Sequence, residues 1–518
     1  MPTAPSSAER VATGRVAEVR RATADVGALL GFRLAGLRGR SRRVAPVALS
    51  VLAAITLLAA VVPAFVAEQS LSRHDVLLLL PSAFISVLVI SVVSAATSGG
   101  GRELLPRDQA VAFPVSPTTD HLGALLMAPL NVAWLLQAWT VLGATSYAVG
   151  ARPGLVLALI PVVLWLVGAA AVAQALAWAI EWVRRGPHGT YVVRGAALVL
   201  AGAVATLLAT GSFAALLDRS PTVRIAVGVV AGSEGRWAPW ARLVLGLVVL
   251  AGVAVAVGGV LAGRVARRPA RDELRAEASG RTARGNPGSD LVALMRTDRA
   301  GIWRSVPMRR GMVVLALLPG IVAVGGSFRW DMLGIFPGLV ASGGALLFGV
   351  NAWCLDGRGA LWRDSLPVTP RLAFISRVLV LAEILSAASL ATLLLASLRA
   401  GLPTPSQLAA VLCAGVVVVG QVVATSLRWS VRHPYAVDLR SSRATPAPPL
   451  VMVGYSARLA LTTTVTGMLF NLLAGAPWQW SVLLAVPFLA WSGVKLARTA
   501  AAWSDPPTRA RVVATVAT

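Results

Sequence analysis

Long apolar runs, broken by short polar segments, dominate the pattern along this chain. Each run is near the 20 residues that an α-helix needs to cross a hydrocarbon core about 30 Å thick. Twelve such runs predict twelve membrane-spanning helices. The first six cover 45–67, 76–97, 122–149, 154–181, 195–217 and 241–263, and the second six cover 311–328, 333–354, 373–398, 407–427, 453–474 and 480–499. The stretch "GGSFRWD" (325–331) separates two of these, the first of them short. Ahead of each set of six lies a segment with apolar residues on one helical face: Val26, Leu29, Leu30, Leu34 and Leu37 in 24–37, and Leu291, Leu294, Met295 and Ile302 in 289–302. Arg33, Arg38 and Arg40 fall off the first stripe or beyond it. Such basic amphipathic helices are expected to lie in the membrane interface, as anchors for the first span or as levers that also touch a partner.

The polar breaks recur. "GRELLPRD" (101–108) stands ahead of "FPVSP" (113–117), and "GRGALWRD" (357–364) stands ahead of "LPVTP" (366–370), each between the second and third runs of its set. The segment 24–37 matches 289–302 without a gap at a shift of 265, and "WVRRGPHGTYVVR" (182–194) matches "WSVRHPYAVDLR" (429–440) after the fourth run of each set. Three anchors in one order predict an internal duplication. Six spans per copy is an even number, so the repeat is expected to be parallel, related by an axis along the membrane normal. The resulting plan is an N-terminal segment 1–43, a first half 44–263, a linker 264–310 that carries the second amphipathic helix, a second half 311–499 and a tail 500–518.

Composition agrees with an all-α polytopic membrane protein. The 518 residues are 56% hydrophobic and 13% charged, against roughly 25% charged for a soluble domain. The net charge of +25 does not mark a nucleic-acid partner, because the arginines flank apolar runs rather than form a soluble basic face. With the N-terminus placed inside, 37 basic residues fall in inner segments and seven in outer loops, and Arg242, Arg377 and Arg458 lie near span ends. This bias predicts both termini in the cytoplasm. The start is polar and basic for more than twenty residues, and the first apolar run is expected to stay as an anchor. Arginine in place of lysine, with abundant Ala, Val and Gly, points to a GC-rich bacterial genome and hence to a bacterial cytoplasmic membrane. The linker 264–288 and the tail 503–518 read as partly disordered from their charge and their Gly and Pro content.

Each kinked loop forms a rigid corner. Prolines at i and i+3 break any helix through them, and Ser116 or Thr369 is placed to cap the helix that follows. Arg102, Glu103, Arg107, Asp108, Pro114 and Pro117 make the first elbow; Arg358, Arg363, Asp364, Pro367 and Pro370 make the second. These corners are either solvated turns or docking elbows on which an outside protein acts. Within the spans, Asn131, Gln137, Gln174, Asn351, Gln421, Asn471 and Glu383 either line a route or join helices by hydrogen bonds.

Six spans per unit, a leading amphipathic helix and a polar elbow with a "PVSP" stretch between spans two and three resemble the ABC-2-type exporter permeases. The outer segment 218–240, apolar in its middle and polar at its ends, looks like the outer re-entrant region of that family; the second half has only "LAGAPWQW" there. The resemblance implies a permease subunit driven by a separate ATPase, with two ATPase copies docking on the elbows and the amphipathic helices, and with a hydrophobic or amphipathic cargo. It implies that this chain binds no cofactor and uses ATP through its partner. Consistently, Lys495 is the sole lysine, in "SGVKLAR", so the chain has no phosphate-cradling Gly-Lys-Ser/Thr loop.

Two other classes compete. A proton-coupled twelve-helix carrier of the major-facilitator type needs ionisable groups within the bundle, and Glu383, with Arg377 nearby, is the best candidate. A non-transporting scaffold is the third reading. An intramembrane enzyme is disfavoured: His74, His121, His188 and His433 have no second ligand at helical spacing within a span, and no catalytic or metal residue is assigned. Cys354 and Cys413 read as buried small residues.

Overall fold

The computed structural model describes residues 7–35, 40–67, 72–97, 115–130, 132–268, 285, 287–326, 328–347, 349–436, 447 and 449–517. Among these residues the chain is helical, with no strand. Among the described residues, ten helices are long and apolar enough to cross a membrane. The protein is therefore an all-α, multi-pass membrane protein. Its backbone forms two compact units, Met1–Arg271 and Asp272–Thr518.

The first unit runs α1 (Ser7–Ala35), α2 (Arg40–Val61), α3 (Arg73–Thr97), α4 (Pro117–Leu126), α5 (Val132–Val149), α6 (Leu155–Arg184), α7 (Gly189–Ala209), α8 (Phe213–Asp218), α9 (Val223–Ser233) and α10 (Trp237–Ala266). Helix α6 is its central post, packed against α3, α5, α9 and α10. Its alanine-rich stretch buries Ala169, Ala173 and Ala177, and α10 answers with Ala254, Gly258 and Ala262. Small residues let two helix backbones approach where lipid supplies no hydrophobic drive between them. Phe84 of α3 and Trp165 of α6 fill the core, and the Trp165 indole donates to the Phe84 carbonyl at 2.9 Å.

Two apolar runs of this unit yield no spanning helix among the described residues. The third, 122–149, is not one helix: α4 ends at Leu126, a 3-10 turn spans Ala128–Leu130, and α5 begins at Val132. Pro129 has no N–H for the ladder, and its ring crowds the preceding turn. The first, 45–67, tightens into a 3-10 turn at Val62–Phe65, which includes Pro63. These two are absent from the ten helices above. The segment 218–240 contains the short apolar helix α9, which packs against α6 and α10. Glycine is required at that contact: a Cβ on Gly154 would stand 2.5 Å from the Ser233 carbonyl oxygen, and one on Gly232 would stand 2.9 Å from the Leu157 backbone.

The second unit runs α11 (Asp290–Arg304), α12 (Val306–Gly325), α13 (Trp330–Leu333), α14 (Phe336–Leu347), α15 (Ala360–Asp364), α16 (Pro370–Ala400), α17 (Pro405–Arg432), α18 (Pro449–Leu472), α19 (Trp478–Ser504) and α20 (Pro506–Ala517). Helix α17 starts on a capping box, in which the Thr404 hydroxyl accepts from Gln407 N and the Gln407 side chain accepts from Thr404 N. That arrangement satisfies two of the otherwise orphaned donors at a helix start. Helix α17 packs on α14, α16, α18 and α19 around Val340, Phe374, Leu381, Leu385, Val418, Val422, Leu427 and Tyr455. The run 333–354 is broken here as well: after α14 the chain tightens into a 3-10 stretch, Gly349–Leu355, kinked at Asn351.

The tail departs from the expected disorder. Residues 506–517 form α20, with Val512, Val513 and Val516 buried. The Asp505 carboxylate accepts from the Thr508 N–H at 3.2 Å and from its hydroxyl at 2.7 Å, so the helix is capped. The three valines then give it a face to bury. Most of the linker 264–288 lies outside the described residues, though α10 extends to Ala266.

Candidate functional site

Both corners begin their helices in the same way. Ser116 and Thr369 have extended backbone and accept from the N–H three residues on, at Thr119 and Leu372, and Pro117 and Pro370 occupy the first turn. A proline there loses no hydrogen bond, because that N–H has no partner within the helix. The corner therefore sets where the following helix starts.

In the second unit the corner is held from behind by a buried ionic lattice. The Asp298 carboxylate, on the amphipathic helix α11, receives both terminal nitrogens of Arg363, from α15, the Oδ2 contact measuring 3.1 Å. It also accepts from the Ser376 hydroxyl at 2.6 Å and faces Arg377 at 3.1 Å, both on α16. Asp356, between the 3-10 stretch and α15, accepts from Arg363 at 3.0 Å and from Arg377 at 2.7 Å. Arg377 also donates to the Ala352 carbonyl at 2.9 Å and lies over the Trp353 ring. Two carboxylates thus balance two guanidinium groups, and Asp298 and Arg377 are 2% and 1% exposed.

Burial pushes the Asp298 carboxyl up, but the Arg377 charge and the hydrogen bonds from Arg363 and Ser376 outweigh it and hold the group below the ordinary carboxylate range. Burial likewise opposes the Arg363 charge, and the hydrogen bond to Asp298 and the Asp356 charge more than offset it, so Arg363 stays above its usual value. Such a lattice gives little net stability over a well-packed apolar core, yet it is costly to break by removing one member. Its effect is to fix α11, the elbow and α16 in one geometry.

The elbow residues therefore divide. Arg363, one of the residues expected at the elbow, faces inward and is buried, so it offers no outward contact. Asp364 pairs with Arg509 of α20 at 2.9 Å. Pro367 is exposed and Pro370 half-buried, and Arg358 lies in the turn Gly357–Gly359. The prominent outward residues are Leu361 and Trp362, 60% and 65% exposed. Beside Trp362 a groove of about 510 Å³ runs between α11 and the elbow, lined in part by Leu294, Thr297, Arg304, Trp362 and Pro367. On the other side α20 covers the elbow, and Trp503 stacks on Trp353 with centroids 3.9 Å apart. A smaller cavity of about 120 Å³ remains there among Asp356, Arg363, Arg509 and Val512.

In the first unit Arg102, Glu103, Arg107, Asp108 and Pro114 lie outside the described residues, as does Asn131. What is described is the helix behind that corner. Val26, Leu29 and Leu30 of α1 pack on Leu122 and Met127, so the predicted stripe meets protein. The Thr118 hydroxyl donates to Glu18 at 2.7 Å, and Thr119 donates to Asp25 at 3.4 Å. One turn on, His121 is fully buried. The Trp178 indole donates to its Nδ1 at 3.1 Å, which places the ring proton on Nε2, 3.1 Å from the Val255 carbonyl. A Cβ on Gly258 would come within 2.4 Å of that ring. The sequence marks His121 only as a histidine without a partner at helical spacing, and its partners come from two distant helices.

The polar residues within the spans mostly face other helices of their own unit. Gln421 accepts from Thr466 at 3.1 Å, joining α17 to α18. Asn351 donates to the Tyr435 carbonyl at 2.7 Å across the kink. Asn471 abuts Gly334, where an added Cβ would strike its side-chain oxygen. Gln174 is buried on α6, and Gln137 is half-buried on α5. Glu383 pairs with Arg299 of α11 at 2.7 Å, while Arg377 belongs to the lattice. Among the described residues no group of three His, Cys, Asp or Glu side chains could hold a metal ion. No known protein family, characterised protein or solved structure matches this chain.

Proposed function

We propose that this chain is the membrane-spanning permease subunit of an ATP-driven exporter, built from two related halves, and that a separate ATPase acts on its elbows. The observation that carries the reading is the second elbow. A short helix presents Leu361 and Trp362 outward while three buried charges and the half-buried Asp356 behind it tie it to α11 and α16. A push on that surface moves the start of a 31-residue span instead of dissipating in a loop. Large apolar side chains on a rigid support are the usual anchors of protein contacts. The Ser/Thr-Pro corner in each unit, with an amphipathic helix ahead of each set of spans, supports one such handle per half. Glu383, the residue best suited to proton coupling, is engaged with Arg299, which weighs against the secondary carrier.

The test is purification of the tagged full chain from its own cells in mild detergent. An ATPase is expected to accompany it and to be lost from the variant Leu361→Ala/Trp362→Ala, whose thermal stability should stay near that of the parent because both positions are exposed. Absence of any ATPase, or transport in vesicles driven by a proton gradient without ATP, would overturn the reading.

A further inference from the structure

At the end of the second unit where the elbow lies, three helices bring like charges together. Lys495 of α19 lies within electrostatic reach of Arg458 of α18 and Arg428 of α17. Helix α17 packs on both α18 and α19, and α17 and α18 are pinned at this level by the Ser426–Tyr455 hydroxyl contact of 2.6 Å. Among the described residues none of the three cations has a carboxylate partner; Lys495 rests on the Trp491 ring, 5.6 Å from its centroid. Arg432, one turn beyond Arg428, and Arg498, one turn beyond Lys495, are exposed beside them. The charge bias of membrane proteins accounts for basic residues near span ends. It does not account for three of them converging from separate helices, where mutual repulsion opposes the arrangement unless an anion joins it.

The surface next to the cations indicates which anion. Arg458, Leu461, Val465, Met468 and Leu472 fall on one face of α18, and all are exposed. On α19, Trp491 and Val494 are exposed as well. A cationic cluster at the end of an exposed apolar stripe matches a phosphate group attached to acyl chains. We infer that Arg428, Arg458 and Lys495 bind the phosphate of an anionic phospholipid, whose chains lie along α18 and α19. Basic pockets between spanning helices are suited to anionic headgroups, and the long side chains can reach the headgroup level while their stems stay in the apolar zone. This inference does not depend on the transport reading.

The test uses the full chain, delipidated in neutral detergent and followed by native mass spectrometry. It is titrated in separate arms with dioleoylphosphatidylglycerol, with dioleoylphosphatidylcholine and with inorganic phosphate. The expected result is tighter binding of the anionic lipid, weakened roughly fivefold by each of Arg428→Gln, Arg458→Gln and Lys495→Gln, with no displacement by phosphate at equal concentration. Arg329→Gln, at the opposite end of the spans, should leave binding unchanged. The triple variant should melt no lower than the parent in lipid-free detergent, because it removes repulsion, and should lose the stabilisation that the anionic lipid confers. Should the triple variant fail to fold, Arg458→Glu at its exposed position carries the same expectation alone. Equal binding of the two lipids, or undiminished preference in Arg458→Glu, would overturn the inference. Full displacement by phosphate would overturn it also and would assign the site to a free anion.

Discussion

Asp298 is the residue on which the second elbow depends most, since it meets Arg363, Ser376 and Arg377 at once. Replacing it with alanine leaves two buried guanidinium groups short of a counter-charge, which should cost about 3–5 kcal/mol. Asp364→Ala removes only a partly exposed pair with Arg509 and should cost less than about 1 kcal/mol. Chemical unfolding of the two variants in detergent checks the contrast. The pH dependence follows from the same carboxylate. Its folded value is depressed, so its stabilising contribution is complete above the ordinary value near 4 and is lost as the pH falls through the folded value. Melting temperature should therefore be insensitive to this group between about pH 8 and pH 5 and should decline only below about pH 4. In Asp298→Asn that low-pH decline should shrink.

At the scale of elements, α20 closes the side of the elbow opposite the groove through Val512, Val513, Val516 and the Trp353–Trp503 stack. A chain ending at Ser504 should be cleaved faster within 356–370 in limited proteolysis, and an unchanged rate would show that α20 only covers the surface. These elements also show what could be read ahead of the structure. The caps at Ser116 and Thr369 and the stripes of α1 and α11 were legible because each is set by neighbours within a few residues. The lattice was not, because its members sit on α11, the turn at Asp356, α15 and α16, and no local pattern pairs them. Position also matters more than residue type. Asp298 matches Arg33 at the shift that aligns 289–302 with 24–37, so 24–37 lacks the carboxylate on which the second elbow's lattice rests. The break at Pro129 was missed for a related reason. Pro81, Pro161 and Pro319 stand inside continuous helices, because neighbouring groups in a bundle can re-satisfy the freed carbonyls; a lone proline therefore does not announce a break. The tail helix did carry a local signal, the Asp505 cap followed by three spaced valines, hidden by its polar composition.

At the scale of the whole molecule, the claim is that two halves of like plan each present a stiff corner to the same compartment. Ten long apolar helices among the described residues establish a multi-pass protein, and the Ser/Thr-Pro caps give both units the same kind of start for the helix after the elbow. The proposed function requires that a motor in one compartment can reach both corners. The most direct measurement is sided thiol labelling of Val115→Cys and Ser365→Cys, each in a background with Cys354 and Cys413 replaced by alanine, using a membrane-impermeant maleimide on intact cells and on inside-out vesicles. The account predicts that both positions react only in inside-out vesicles. Labelling of the two from opposite faces would contradict it.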